Sequence, residues 1–129
     1  MTFLVDTCVA IWFFEGSDAI PPKTLGRLVD AGNDVLLSDV SILEIVSKHS
    51  IGKFPLPQHP SALIPALARK HRFDILPLST EDIFRLESLP LLHRDPFDRL
   101  LVAQALANGL TLVSPDPLVR QYKVPSLWG

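Results

Sequence analysis

Four short apolar runs, separated by stretches of helical pattern, most constrain the fold of this chain. They are Thr2–Val5, Val35–Leu37, Ile75–Leu78 and Leu110–Val113. A run that is apolar on both faces suits a strand covered on both sides of a parallel sheet. The expected helices are Thr7–Glu15 stopped by Gly16, Pro22–Ala31 stopped by Gly32, and Val40–Ser50 ended by Gly52. Further helices are expected over Leu63–Arg72, from an N-cap at Thr80 to Leu89, and from Asp95–Pro96 to Asn108. The segment GKFPLPQHP, residues 52–60, holds three prolines in nine residues and reads as a loop. A short helix and a small strand near Val124 close the chain. Strand alternating with helix argues for an α/β fold: a central parallel sheet of about five strands with helices on both faces. A length of 129 residues fits one domain, 1–129.

Composition sets looser bounds. At 47% hydrophobic, a chain this small is expected to cover part of its surface with a partner. No apolar stretch is long enough to cross a bilayer, so no membrane partner is expected. The N-terminus runs into a polar turn after Val5, without a leader pattern. The single cysteine, Cys8, rules out an internal disulfide framework. The expected compartment is the cytoplasm. A net charge of −2 hides an asymmetry: residues 1–44 carry seven acids against two Lys/Arg, and residues 45–129 seven against ten. Near-neutral charge neither excludes nor supports a nucleic-acid substrate.

Four acids fall where such a fold delivers side chains to one edge of its sheet. Asp6 ends the first strand, and Asp116 follows the fourth by three residues. Glu44 lies early in the helix after the second strand, and Asp98 in the first turn of the helix before the fourth. Ligand sites in open parallel sheets form outside the carboxyl ends of the strands. Gathered acids repel one another unless a cation joins them. The cluster is therefore expected to hold Mg²⁺ or Mn²⁺. Each acid also has a plainer reading. Asp6, Asp95 and Asp116 each suit a helix cap, the last two by the residue before a proline. Asp98 sits where an acid completes a capping box. Glu44 and Lys48 have the i,i+4 spacing of an ion pair. His93 reads as loop surface, with a general-base role as the sharper alternative. Arg99 reads as pairing with a site acid or contacting phosphate, and Arg94, Arg99 and Lys48 are candidate RNA contacts. The basic run Arg69–Arg72 reads as a solvated helix end, or as a phosphate contact.

Four pieces carry a resemblance: LVDTCVAIW, SILEIVSKHSIGKFPLP, HRDPFDRLLVAQA and LTLVSPD. In order and spacing they resemble the PIN-domain family, and within it the VapC-type toxins of toxin–antitoxin pairs. HRDPFDRLLVAQA is the most specific, and the resemblance spans essentially the whole chain. It implies a three-layer PIN-type fold with Asp6, Glu44, Asp98 and Asp116 as the four metal-holding, catalytic acids. Asp95 is an additional acid, and Thr7 and Ser114 are supporting hydroxyls. It further implies a Mg²⁺- or Mn²⁺-dependent endoribonuclease that cleaves with an activated water, a homodimer, an RNA substrate and a small antitoxin partner.

Two rivals remain from other classes. One is a non-catalytic binding module on the same fold. The other is a Mg²⁺-dependent α/β phosphotransfer domain. A receiver-type version needs an aspartate after the third strand, where ILPL is followed by Ser79 and Thr80. A haloacid-dehalogenase-type version needs two aspartates one residue apart after the first strand, where Asp6 is followed by Thr7 and Cys8.

Overall fold

Every strand pairs in parallel, and the most apolar strand lies at the centre. The computed structural model describes residues 1–129. Along the chain run β1 (Thr2–Val5), α1 (Thr7–Glu15), α2 (Pro22–Val29), β2 (Asp34–Ser38), α3 (Asp39–Ser50) and α4 (Pro60–His71). They are followed by β3 (Phe73–Leu76), α5 (Thr80–Phe84), a 3₁₀ turn (Arg85–Ser88), α6 (Pro96–Asn108), β4 (Thr111–Val113), α7 (Pro117–Arg120) and β5 (Ser126–Leu127). The sheet order is β3-β2-β1-β4-β5. Phe3 lies opposite both Val35 and Thr111, and Val5 opposite Val113. This order differs from the 2-1-3-4-5 order of receiver-type domains, which sets that rival aside.

Alternation along β1 divides the core. Phe3 and Val5 join Val9, Ala10, Leu28, Ile45, Ile64 and Phe73 on one face. Leu4 joins Leu101, Val102, Ala105, Leu112 and Val119 on the other. Helices α1, α2 and α4 thus cover one side, and α6 and α7 the other. Both sides of β1 being buried explains why its sequence carries no polar alternation.

Several boundaries differ from the sequence-based expectation for local reasons. Helix α2 ends at Val29, because the Asp30 side chain accepts the Gly32 N–H (2.9 Å) and turns the chain early. Helix α4 begins at Pro60, where the ring's fixed φ suits a first turn. It continues through exposed Pro65. Arg72 then adopts a left-handed conformation (φ 58°), so β3 starts at Phe73 rather than Ile75. The cap of α5 is Ser79, not Thr80: Ser79 Oγ accepts the Asp82 N–H and the Asp82 carboxylate accepts the Ser79 N–H. The helix expected to reach Leu89 tightens to 3₁₀ at Arg85. The last strand lies at Ser126–Leu127, beyond Val124.

Candidate metal centre

The chain steps from β1 to β2 to β3 on one side of the sheet, then continues with β4 and β5 on the other. The crevice between the carboxyl ends of β1 and β4 is therefore the topological switch point. Asp6 leaves β1 there, and its N–H bonds the Val113 carbonyl of β4 (2.9 Å). An open cleft of about 230 Å³ forms beside it, lined by Asp6, Glu44, Asp95, Asp98 and Asp116 together with Thr7, Cys8, Ile11 and Lys48. All four acids singled out in the sequence, and the additional Asp95, thus face one space.

The capping readings and the convergence turn out to be compatible. Asp6 Oδ1 accepts the Thr7 N–H (2.7 Å) at the start of α1, and Asp6 Oδ2 accepts the Ser114 hydroxyl (2.7 Å). Asp95 Oδ1 caps α6 through the Phe97 N–H (2.9 Å), and Asp116 Oδ1 caps α7 through the Leu118 N–H (2.8 Å). Caps lock these carboxylates onto helix starts, and the helix starts stand around the cleft. Ser114 Oγ also accepts the Asp116 N–H (3.1 Å), which joins the first and fourth acids through one hydroxyl. Thr7 supports the site at one remove, donating to Ser41 Oγ on α3 (2.9 Å).

Glu44 is 7% exposed. Its Oε2 meets Lys48 Nζ at 2.6 Å, so the i,i+4 pair forms, with a buried carboxylate under a half-exposed ammonium. Glu44 Oε1 is buried and has no hydrogen-bond partner. A buried carboxylate oxygen left orphaned is costly, and a cation in the cleft would satisfy it. The carboxylates offer oxygen donors, with the His93 imidazole beside Asp98 and Asp116 as the one nitrogen, and a set so rich in oxygen suits Mg²⁺ or Mn²⁺ over softer ions. The residues present therefore fit a hard divalent ion.

The electrostatics fit as well. Burial raises the Asp6 carboxyl above its usual value, against the hydrogen bonds from Ser114 and Thr7, and the charges of Glu44 and Asp116 add to the rise. Burial, with the charges of Asp6 and Asp95, pushes Asp98 up to about 7. The Cys8 thiol is driven to about 12 by burial and by Asp6 and Asp98, which keeps it protonated and a poor ligand. Burial works against the Asp116 charge too, but hydrogen bonds from His93 and the Leu118 N–H hold its carboxyl below the usual range.

His93 is the residue that the sequence undervalued. Its Nε2 lies 2.8 Å from Asp116 Oδ2 and 3.1 Å from Asp98 Oδ2. The available signal was its place two residues before the Asp95 cap, from which its ring accepts the Asp95 N–H (3.0 Å). Arg99 does not pair with an acid: its guanidinium reaches the Leu86 and Leu89 carbonyls (3.3 Å each). Arg94 is exposed. The basic run at the end of α4 precedes β3 and so lies at the sheet's opposite edge, away from the acids.

The sequence matches the PIN domain family over residues 3–124. The chain belongs to that family. Solved structures share the PIN architecture over nearly the whole chain. One is VapBC2 from Rickettsia felis bound to a promoter DNA fragment (TM-score 0.75, 16% identity, 100% of both chains). Another is DNA-bound VapBC from Salmonella typhimurium (TM-score 0.71, 14% identity, 98% of this chain and 97% of that one). A third is FitAcB from Neisseria gonorrhoeae (TM-score 0.65, 16% identity, 97% of this chain and 96% of that one). At these identities the likeness is one of fold. No curated protein sequence matches the chain.

Proposed function

We propose that this PIN domain is a Mg²⁺- or Mn²⁺-dependent endoribonuclease and the toxin member of a toxin–antitoxin pair. One observation carries the reading: five acids from four parts of the chain line a single cleft, and one of them, Glu44, keeps a buried oxygen without a partner. Asp6, Glu44, Asp98 and Asp116 would hold the ion, with Asp95 at the rim. A divalent ion there supplies charge stabilisation at a phosphoryl oxygen and lowers the pKa of water.

The chain's own groups do the rest. Ser114 keeps Asp6 and Asp116 in register. The carboxylates orient water for in-line attack on the scissile phosphorus and take up its proton. Lys48 stands at the cleft mouth with its ammonium half exposed, where it can meet a phosphate of the RNA backbone. Exposed Arg94 adds a second such contact. Arg99 is committed to backbone carbonyls and drops to a structural role. As the water oxygen bonds to phosphorus the P–O3′ bond breaks and the departing 3′ oxygen takes a proton from solvent, which gives 5′-phosphate and 3′-hydroxyl ends. A 2′,3′-cyclic phosphate would reject this route.

The partner half of the proposal rests on VapBC- and FitAB-type neighbours and on an apolar groove of about 240 Å³ beside the cleft. Ile11, Phe14, Phe54, Leu56, Leu63 and Leu67 line it, and Ile11 also lines the acid cleft. An antitoxin segment in this groove would lie within reach of the acids. A homodimer is proposed on the family resemblance alone.

The deciding experiment is Asp6→Asn. Asparagine keeps an oxygen for the Thr7 N–H and removes the charge. Induced expression of wild type should arrest growth and yield new RNA 5′ ends across the transcriptome. The variant should do neither while melting at least as high as wild type without metal. Undiminished cleavage by pure Asp6→Asn protein would sink the assignment.

A further inference from the structure

Tyr122 is buried, at 4% exposure, on the turn that follows α7. Its hydroxyl accepts two backbone N–H groups from one loop, those of Leu92 (3.2 Å) and His93 (3.0 Å). That loop joins the 3₁₀ turn to α6; beyond Leu89, which packs on the core, it contributes little to it, with Leu91 75% and Leu92 39% exposed. Polar contacts, not packing, therefore fix its path, and the Tyr122 hydroxyl supplies two of them.

The loop delivers His93 to the site in one orientation. His93 Nδ1 accepts the Asp95 N–H (3.0 Å), so the ring hydrogen sits on Nε2. That Nε2–H points between Asp116 Oδ2 at 2.8 Å and Asp98 Oδ2 at 3.1 Å. A nitrogen that carries hydrogen has no lone pair for an ion. His93, Asp98 and Asp116 offer ligand atoms within 4.8 Å of one another, but in this tautomer Nε2 turns its hydrogen, not a lone pair, toward the carboxylates. Asp116 opens α7, six residues before Tyr122, and the contacts close a ring: Asp116, α7, Tyr122, the Leu92–His93 backbone, the imidazole, Asp116. Asp98 joins from α6. The two acids come from different elements, and no direct bond between them holds their spacing.

We propose that His93 and Tyr122 are positioning residues of the metal centre: His93 clips the Asp98 and Asp116 carboxylates together through Nε2–H, and Tyr122 holds the loop that carries His93. The inference rests on the metal-dependent reading given above. Groups that orient ligands in this way typically change metal affinity by about 10- to 100-fold when removed.

The test is Mn²⁺ binding, followed by the free-ion electron paramagnetic resonance signal, on wild type, His93→Leu, His93→Gln and Tyr122→Phe. Each is first checked for native circular dichroism. Glutamine keeps an N–H where Nε2–H lies; leucine does not. Wild type should bind Mn²⁺, His93→Leu about 10- to 100-fold more weakly, and His93→Gln close to wild type. Tyr122→Phe should weaken binding with the fold intact and lower kcat for RNA cleavage while leaving KM unchanged. Equal affinity in wild type and His93→Leu overturns the clip, and tighter binding in His93→Leu would make the imidazole a competitor of the ion and overturn it too. Glutamine behaving as leucine overturns the donor assignment. Wild type that binds no Mn²⁺ removes the metal-dependent reading and the inference together, a result distinct from all the others. The His93 pair alone decides the clip if Tyr122→Phe does not fold.

Discussion

Asp98 is the carboxylate whose surroundings oppose its charge most, and burial leads Asp6 and Asp95 as the cause of its rise to about 7. Its ordinary value is 3.8, so between about pH 4 and 7 the folded metal-free chain holds a proton that the unfolded chain has released. Stability of the metal-free fold must then fall as pH rises through about 7. Asp6 and His93 are both raised and act in the same direction, whereas His71 is lowered, chiefly by burial, and opposes them. Melting in EDTA should give a higher Tm at pH 5 than at pH 8, and Asp98→Asn should flatten the slope. Mg²⁺ at pH 8 should recover the loss. An EDTA melting temperature that rises with pH would contradict this account. At this scale the sequence was legible for the acids, because strand ends and helix starts can be located from apolar runs and prolines. For His93 only its place two residues before the Asp95 cap was legible, since nothing in the sequence reveals that a tyrosine 29 residues away fixes its backbone.

Helices α3 and α6 carry Glu44 and Asp98, and Gln104 ties them together. It is fully buried on α6. Its Oε1 accepts the hydroxyl of Ser38, the α3 cap, and its Nε2 donates to the Pro77 carbonyl (3.1 Å) and Asp82 Oδ2 (3.2 Å). One amide thus joins β2, α3, the β3–α5 connection and α6. Gln104→Leu would leave the buried Ser38 hydroxyl without its acceptor and Asp82 short of a donor, a cost of about 1–3 kcal/mol for each group so orphaned. Urea unfolding should show that loss, and Mg²⁺ affinity should drop with it. A change under about 0.5 kcal/mol would mean that the network is dispensable. Helix existence and type were readable from periodicity, prolines and glycines. The ends shifted where a side chain intervened, as at Asp30 and the Ser79–Asp82 box, or where Arg72 took a left-handed turn. Such contacts depend on geometry that residue identity alone leaves open.

The whole molecule places two unlike surfaces side by side, a charged cleft and an apolar groove that share Ile11. Helix α1 carries the apolar run Ile11, Trp12, Phe13 and Phe14. The fold divides them. Phe13 packs on His71 and Phe73, and Trp12 lies against Trp128, with ring centroids 4.9 to 6.0 Å apart, whereas Ile11 and Phe14 border the groove. Phe14 also stacks on His71 and Phe73, so a substitution there would disturb core and groove together. Leu67, half-buried on α4, separates the two effects better. If the groove takes an antitoxin, Leu67→Glu should leave RNA cleavage and its Mg²⁺ dependence unchanged but abolish protection by the product of any short reading frame found beside this one. Lost cleavage in a variant that still co-purifies with that protein would mean that the groove serves the catalytic fold and that the antitoxin sits elsewhere. Co-purification of wild type and Leu67→Glu with that protein, beside growth assays, separates the two arrangements.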